Sequence, residues 1–241
     1  MDNQLFLGDC LEIMPTLPDK SVDLILCDLP YGTTRNKWDK RIPPLKLWQE
    51  YLRLVKDRGA ILLFAQLPFD KELAMTMPKL LRYEWIWIKT KATGHLNAHK
   101  MPLKKHENIL VFYKQLPKYN PQFTVGKPYV CRHYGQSSNY DYQRPVITEN
   151  DGFRYPTSVL EFNTENGLHP TQKPVTLCQY LIKTYTDEGD IVLDNCMGSG
   201  TTGVACVREN RKFIGIESDE KYFNIAKERI GKEKFIWKEK S

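Results

Sequence analysis

With 241 residues, the chain is long enough for one domain with a sizeable core, or for one domain carrying an inserted lobe. Its 41% hydrophobic and 27% charged residues exclude a disordered polyelectrolyte, and no apolar stretch approaches the roughly 18 residues that span a bilayer. The net charge of +6 admits a polyanionic partner without requiring one, and Met1-Asp2-Asn3-Gln4 lacks the basic and apolar regions of a secretion signal, so the expected location is the cytoplasm.

In chain order, short runs rich in Ile, Leu, Val and aromatics predict strands at Gln4–Leu7, Val22–Cys27, Ala60–Phe64, Trp85–Ile88, Ile109–Phe112, Ile191–Leu193 and Phe213–Ile216. Leu45, Trp48, Leu52 and Val55 recur at helical spacing and predict a helix over Leu45–Lys56, stopped by Gly59. A helix over Lys71–Leu81 is interrupted by Pro78. Further helices are predicted at Thr176–Tyr185, Thr201–Glu209 and Asp219–Arg229. Alternation of continuous apolar strands with helices predicts an α/β fold with a mostly parallel, seven-stranded sheet covered on both faces. From Lys114 to Leu168 the alternation stops, and Pro, Gly, Asn and Ser mix with tyrosines and arginines. A long irregular stretch inside a compact domain reads as a functional insertion. The expected division is therefore 1–113 with 169–241 as one domain and 114–168 as an inserted lobe.

The six cysteines form no C-x-x-C pair and no Cys/His spacing suited to zinc, so they read as reduced and structural and no metal is expected. None lies in a Pro-Cys context, which leaves a covalent mechanism without a nucleophile. Two other segments carry chemistry. Gly198-Ser199-Gly200-Thr201-Thr202-Gly203 spells G-x-G-x-x-G between a predicted strand and helix, and Glu217 ends the next strand at about the 20-residue interval of a nucleotide fingerprint. A carboxylate there can accept from both hydroxyls of a ribose. Taken alone, this pattern fits NAD as well as S-adenosylmethionine. Its place in the last quarter of the chain leaves room for only one further strand and helix, which argues against a dinucleotide.

Asp28-Leu29-Pro30-Tyr31 follows the second predicted strand, and its residue types suit methyl transfer to an exocyclic amine. The amine's lone pair is delocalised into the base, and two acceptors receiving its two N–H bonds can turn that lone pair outward. The Asp28 carboxylate and the Leu29 carbonyl are those acceptors. Pro30 stiffens the turn, and Tyr31 offers a ring on which a base can stack. Catalysis is then mainly orientation and electrostatics.

Together the two motifs resemble the amino-group DNA methyltransferases that use S-adenosylmethionine, in the circularly permuted order of the beta class. The resemblance extends to Gly8-Asp9, to Gly32-Thr33-Thr34 with Trp38-Asp39, to Trp87-Ile88-Lys89, to His106-Glu107-Asn108-Ile109-Leu110 and to His169-Pro170-Thr171-Gln172-Lys173-Pro174. It implies a Rossmann-like methyltransferase fold and S-adenosylmethionine as cofactor. It further implies that Asp9, Lys173, Asp194, Cys196, Gly198, Ser199, Gly200, Thr201, Thr202 and Glu217 bind that cofactor. This sequence departs from the family at Leu29, where proline is usual, and at Asn195-Cys196, where proline and phenylalanine are common. Position 29 contributes a carbonyl, so the first change spares the chemistry. The second removes a stacking surface near the cofactor.

Duplex DNA is the partner the resemblance implies, with the target nucleotide flipped into the pocket. Lys89, Lys91, Lys100, Lys104 and Lys105 lie in a stretch without acidic residues, and the irregular segment adds Lys118, Lys127, Arg132, Arg144 and Arg154 among Tyr119, Tyr129, Tyr134, Tyr140 and Tyr142. These are the expected DNA contacts, and by analogy 114–168 is the target-recognition region. Asp at the first catalytic position is the family's form for adenine N6, with cytosine N4 as the alternative. An RNA or protein methyltransferase, an inactive DNA-binding module and an NAD oxidoreductase stand behind these. The resemblance also makes a homodimer a candidate assembly.

Overall fold

A computed structural model describes residues 3–32, 39–133, 146–165 and 172–240, of which 133, 146 and 234–240 are described by backbone alone. The chain divides into two compact units, Met1–Asn120 joined with Ser158–Ser241, and Pro121–Thr157.

Strands and helices are numbered along the chain. The larger unit is built on an eight-stranded sheet in the order β1 (Gln4–Leu7), β12 (Lys212–Glu217), β11 (Ile191–Asp194), β2 (Val22–Asp28), β3 (Val55–Ala65), β5 (Lys104–Phe112), β4 (Leu81–Thr93) and β10 (Val159–Phe162). All neighbours run parallel except β5, which is antiparallel to both β3 and β4. The strands β2, β3, β4 and β11 therefore end at the same edge of the sheet.

The apolar runs are continuous because both faces are covered. On β2, Leu24 and Leu26 enter one core with residues of α4 (Val175–Tyr185), α5 (Thr201–Arg208) and α6 (Glu220–Lys240). Ile25 and Cys27 point the other way, into a core with Cys10 of α1 (Cys10–Ile13), Leu47, Trp48 and Tyr51 of α2 (Pro44–Leu54) and Leu73 of α3 (Phe69–Thr76). Two buried hydrophobic faces, rather than one, set the fold class.

Several boundaries differ from the sequence reading. The eighth strand, β10, lies within the segment expected to be a lobe. It pairs in parallel with β4 along Val159–Phe162, so the smaller unit is shorter than 114–168. The helix α2 ends at Leu54, and Gly59 lies inside β3, where an added Cβ would stand 2.8 Å from the Asp23 carbonyl. That glycine serves a close approach of strands instead of stopping a helix. The helix α3 ends at Thr76, ahead of Pro78, and Leu81 opens β4. In the smaller unit, β6 (Thr124–Val125) pairs with β9 (Phe153–Arg154) and β7 (Tyr129–His133) with β8 (Val146–Asn150), both antiparallel.

Candidate active site

A cleft of about 820 Å³ opens at the carboxyl edge of the larger unit's sheet. Ligands bind at that edge in open α/β sheets, where loops leave neighbouring strands. Here Asp28 closes β2 and Asp194 closes β11, two strands paired through Val192↔Leu24 and Leu193↔Ile25.

On the cofactor side, the turn after β11 is braced from within. Asp194 is buried, and its carboxylate accepts from the Thr202 hydroxyl at 2.7 Å and the Cys196 amide at 3.1 Å. Burial raises its carboxyl from 3.8 to about 6. Glu217, at the end of β12, accepts from the Gly198 amide and the Asp219 amide, both at 2.8 Å. Each of its two oxygens keeps a further lone pair for a ligand hydroxyl. Burial raises this carboxyl as well. Gly198 and Gly200 adopt positive φ, 51° and 80°, which only glycine takes without strain. An added Cβ on Gly203 would meet Ile230 of α6 at 2.4 Å and Phe213 of β12 at 2.7 Å, so the third glycine serves helix-to-sheet packing.

On the catalytic side, Asp28 Oδ1 accepts from the Tyr31 hydroxyl at 2.8 Å, and Oδ2 accepts from Lys173 Nζ at 2.5 Å. Lys173 Nζ also lies 3.3 Å from Glu107 Oε2, and Lys89 Nζ donates to Glu107 Oε1 at 2.9 Å. Burial raises the Asp28 carboxyl, against the pull of Lys173 and with a further push from Glu107. Glu107 is held below its ordinary value, because Lys173 and Lys89 outweigh the effect of burial. Lys173 is raised, its two carboxylates overcoming its burial. Tyr31 stacks on Phe69 at 5.0 Å and 26°, which takes one face of its ring. Burial, followed by the Asp28 charge, pushes its phenol well above the usual range.

The expected catalytic residues Asp28, Leu29, Pro30 and Tyr31 all line this cleft, as do Asp9, Lys173, Asp194, Cys196, Gly198, Ser199, Thr201, Thr202 and Glu217 from the expected cofactor set. Asp9 also caps α1 by accepting from the Leu11 amide at 2.8 Å. Gly200 is not among the lining residues: it packs against α6, where an added Cβ would stand 2.8 Å from Ala226 Cβ. Lys89 requires a correction. It was expected among the DNA-contacting cations, but it is buried, 5% exposed, and paired with Glu107 inside the cleft, where the other four lysines of that stretch are exposed. Lys91, Lys100, Lys104 and Lys105 are exposed on β4, on β5 and on the connection between them, as is Arg132 in the smaller unit. Lys118 pairs with Asp187 at 2.6 Å and Asp190 at 3.0 Å, and Arg154 stacks on Tyr129 at 4.6 Å. Thr33, Thr34, Trp38, Tyr134, Tyr140, Tyr142, Arg144, His169, Pro170 and Thr171 lie outside the described residues.

Glu107 is the site residue that the motif reading left without a role. The available signal was an acidic residue just ahead of the apolar run Ile109–Phe112, and a lysine, Lys89, just after the apolar run Trp85–Ile88. On the paired strands β4 and β5 the two charges meet, and both line the cleft. Among the described residues, no group of His, Cys, Asp and Glu is arranged to hold a metal, and no helix is long and apolar enough to cross a membrane.

An open, mostly parallel sheet with a glycine turn and an acidic tetrapeptide at neighbouring strand ends defines a nucleotide-cofactor transferase class of site. The comparisons narrow that class. The family described as DNA methylase, covering N6 and N4 methyltransferases, matches residues 22–228, and the chain belongs to that family. It is 30% identical to the Type II methyltransferase M.HpaI of Haemophilus parainfluenzae, over 97% of this chain and 76% of the relative. It is 29% identical to the DNA adenine methyltransferase YhdJ of Escherichia coli (strain K12), over 92% of this chain and 81% of that protein. Among solved structures it resembles the M1.HpyAVI-SAM complex with a TM-score of 0.64 and 28% identity, covering 94% of this chain and 98% of the other. It is a DNA methyltransferase of the N6/N4 amino type.

Proposed function

We propose that the protein transfers a methyl group from S-adenosylmethionine to N6 of a flipped-out adenine in duplex DNA. The observation that carries this reading is the meeting of Asp28 and the Gly198 turn in one cleft, from strand ends that lie side by side. The cleft suits the cofactor: Glu217 keeps lone pairs for the two ribose hydroxyls, and the positive-φ glycine turn allows close backbone approach. When bound, S-adenosylmethionine supplies an electrophilic methyl group on a positively charged sulfur.

The chain's own residues supply orientation. The Asp28 carboxylate and the Leu29 carbonyl accept the two N–H bonds of the target amine and turn its lone pair toward the methyl group. Tyr31 supports the base with its ring, a contact of about 1–3 kcal/mol. The smaller unit, Pro121–Thr157, serves target recognition through Arg132, while Lys91, Lys100, Lys104 and Lys105 contact phosphates. The same acceptor geometry would serve cytosine N4. Asp28 at the head of the tetrapeptide, in a chain resembling an adenine methyltransferase over most of its length, favours adenine.

The test is incubation with labelled S-adenosylmethionine and unmethylated duplex DNA, followed by nucleoside mass spectrometry. The expected product is N6-methyladenine, falling on the order of 10²-fold or more with Asp28→Ala. N4-methylcytosine would overturn the choice of base, and full activity of the variant would overturn the role of Asp28. DNA contact is tested by the salt dependence of binding. Replacing Lys91, Lys100, Lys104 and Lys105 together by alanine is expected to flatten the slope of log K against log salt by about 0.9 per lost phosphate contact. Lys89→Met is expected to leave that slope unchanged, because its ammonium faces the cleft.

A further inference from the structure

Four charges stand in a row at the catalytic end of the cleft: Asp28, Lys173, Glu107 and Lys89. They come from β2, from the segment before α4, from β5 and from β4. Lys173 and Glu107 are largely shielded, with side chains 8% and 13% exposed. Each member has a partner, with one exception at the level of atoms. Among the described residues, Glu107 Oε2 is buried and accepts no hydrogen bond, with Lys173 Nζ standing 3.3 Å away as an ion-pair contact. A buried carboxylate oxygen left without a donor costs free energy, so its presence beside the Lys173 ammonium calls for an explanation.

The chemistry at Asp28 provides one. In this structure Oδ2 is occupied by Lys173 and Oδ1 by Tyr31. The target amine needs an acceptor there, and its nitrogen gains positive charge as the methyl group arrives. An ammonium held against the same carboxylate oxygen crowds the approach of the amine, draws on the oxygen's charge and repels the charge growing on the nitrogen. Moving the ammonium a short way toward a second carboxylate removes both obstacles and keeps the lysine paired. We propose that Lys173 and Glu107 are positioning residues for the acceptor carboxylate, Glu107 Oε2 being the place to which the Lys173 ammonium withdraws as the target amine takes over Asp28 Oδ2. Lys89, bound to the other oxygen, keeps Glu107 ionised and in place.

This inference rests on the reading of Asp28 as acceptor and is tested separately from it. Ionised Asp28 accepts at both oxygens and carries the charge that offsets the one growing on the amine, whereas protonation turns one oxygen into a donor. Activity therefore falls as pH drops through its pKa, and the acid limb of kcat/KM reports that pKa. The charged or titratable groups around it are Lys173, Glu107, Tyr31, Asp194, Cys27 and Cys178. Removing the negative charge of Glu107 moves the limb to lower pH, and removing the positive charge of Lys173 moves it to higher pH. The experiment is a set of kcat/KM profiles between about pH 5 and 8 on the full chain, with S-adenosylmethionine and unmethylated duplex DNA, for wild type, Glu107→Gln, Lys173→Met and Lys173→Arg. Cofactor affinity is measured in parallel by equilibrium dialysis.

Opposite displacements of the limb are expected, with partial rescue by Lys173→Arg and a fall in kcat on the order of tenfold for Glu107→Gln, the change that a barrier rise of about 1.4 kcal/mol produces. Unmoved limbs, or limbs moving the same way, would overturn the proposal. So would a Lys173→Met variant that loses cofactor affinity while its limb stays in place, because the lysine would then belong to the cofactor alone. Should Glu107→Gln fail to fold, Lys89→Met reads the same network from its far end. Its limb is expected to rise, since Glu107 would then draw Lys173 away from Asp28. If Asp28→Ala retains full activity, the acceptor reading fails. If that variant is inactive and the limbs do not move, only the present inference fails.

Discussion

Asp28 and Asp194 close neighbouring parallel strands and line the same cleft, yet the two carboxylates are held in opposite ways. Asp194 is met by neutral donors within eight residues of it, the Cys196 amide of the turn and the Thr202 hydroxyl at the start of α5, which fix the shape of the turn. Asp28 is met by the phenol of its own tetrapeptide and by an ammonium that comes from 145 residues away. Neutral local donors brace a backbone, whereas a long-range cation favours the ionised form of a half-buried acceptor. The residue type and the strand position are shared, so the difference in role comes from the partners.

The comparison can be broken most directly with Asp28→Ala, expected to cost on the order of 10²-fold or more in turnover while the thermal midpoint hardly changes. A large loss of melting temperature in that variant would show that Asp28, too, is structural. Asp194→Asn is expected to act through the cofactor turn it braces, weakening S-adenosylmethionine binding and changing the stability profile of the protein. With its folded carboxyl raised from 3.8 to about 6, wild-type Asp194 binds its proton more tightly folded than unfolded. Its contribution to stability is therefore full below about pH 4 and is lost as pH rises toward 6. Melting temperatures taken across that window should fall less steeply with rising pH in the asparagine variant. Tyr51→Phe sharpens the picture at smaller scale. The Tyr51 hydroxyl donates to the buried Asn195 Oδ1 at 2.6 Å behind the cofactor turn. Removing it should cost about 1–3 kcal/mol in chemical denaturation, with cofactor affinity reduced only slightly.

Much of this architecture was legible because it rests on local pattern. Strands buried on both faces show as unbroken apolar runs, and a glycine turn must lie where the backbone needs positive φ. The failures share a cause in long-range context. Val159–Phe162 is short and its outer residues are not buried, so only its pairing with β4 makes it a strand. Gly59 reads as a helix stop until the Asp23 carbonyl is seen against it. Lys89 reads as one more surface cation, because the sequence does not display that Glu107, 18 residues on, waits across an antiparallel pair. Charge counts along a chain register the number of lysines and not the direction each one faces.

The seam between β2 and β11 also has a consequence in time. The Ile191 amide donates to Asp23 at 3.0 Å across a separation of 168 residues, and β11 fits between β12 and β2. As the chain emerges from a ribosome, β2 can pair with β3 early, but its other edge stays open until the last quarter has been made. That edge is a row of unpaired amides and carbonyls on a nearly all-apolar strand, the kind of surface that recruits other chains. Synthesis of this protein therefore includes an interval in which the tetrapeptide has been made and the cofactor turn has not, when the β2 edge that β11 later covers has no partner strand on that side.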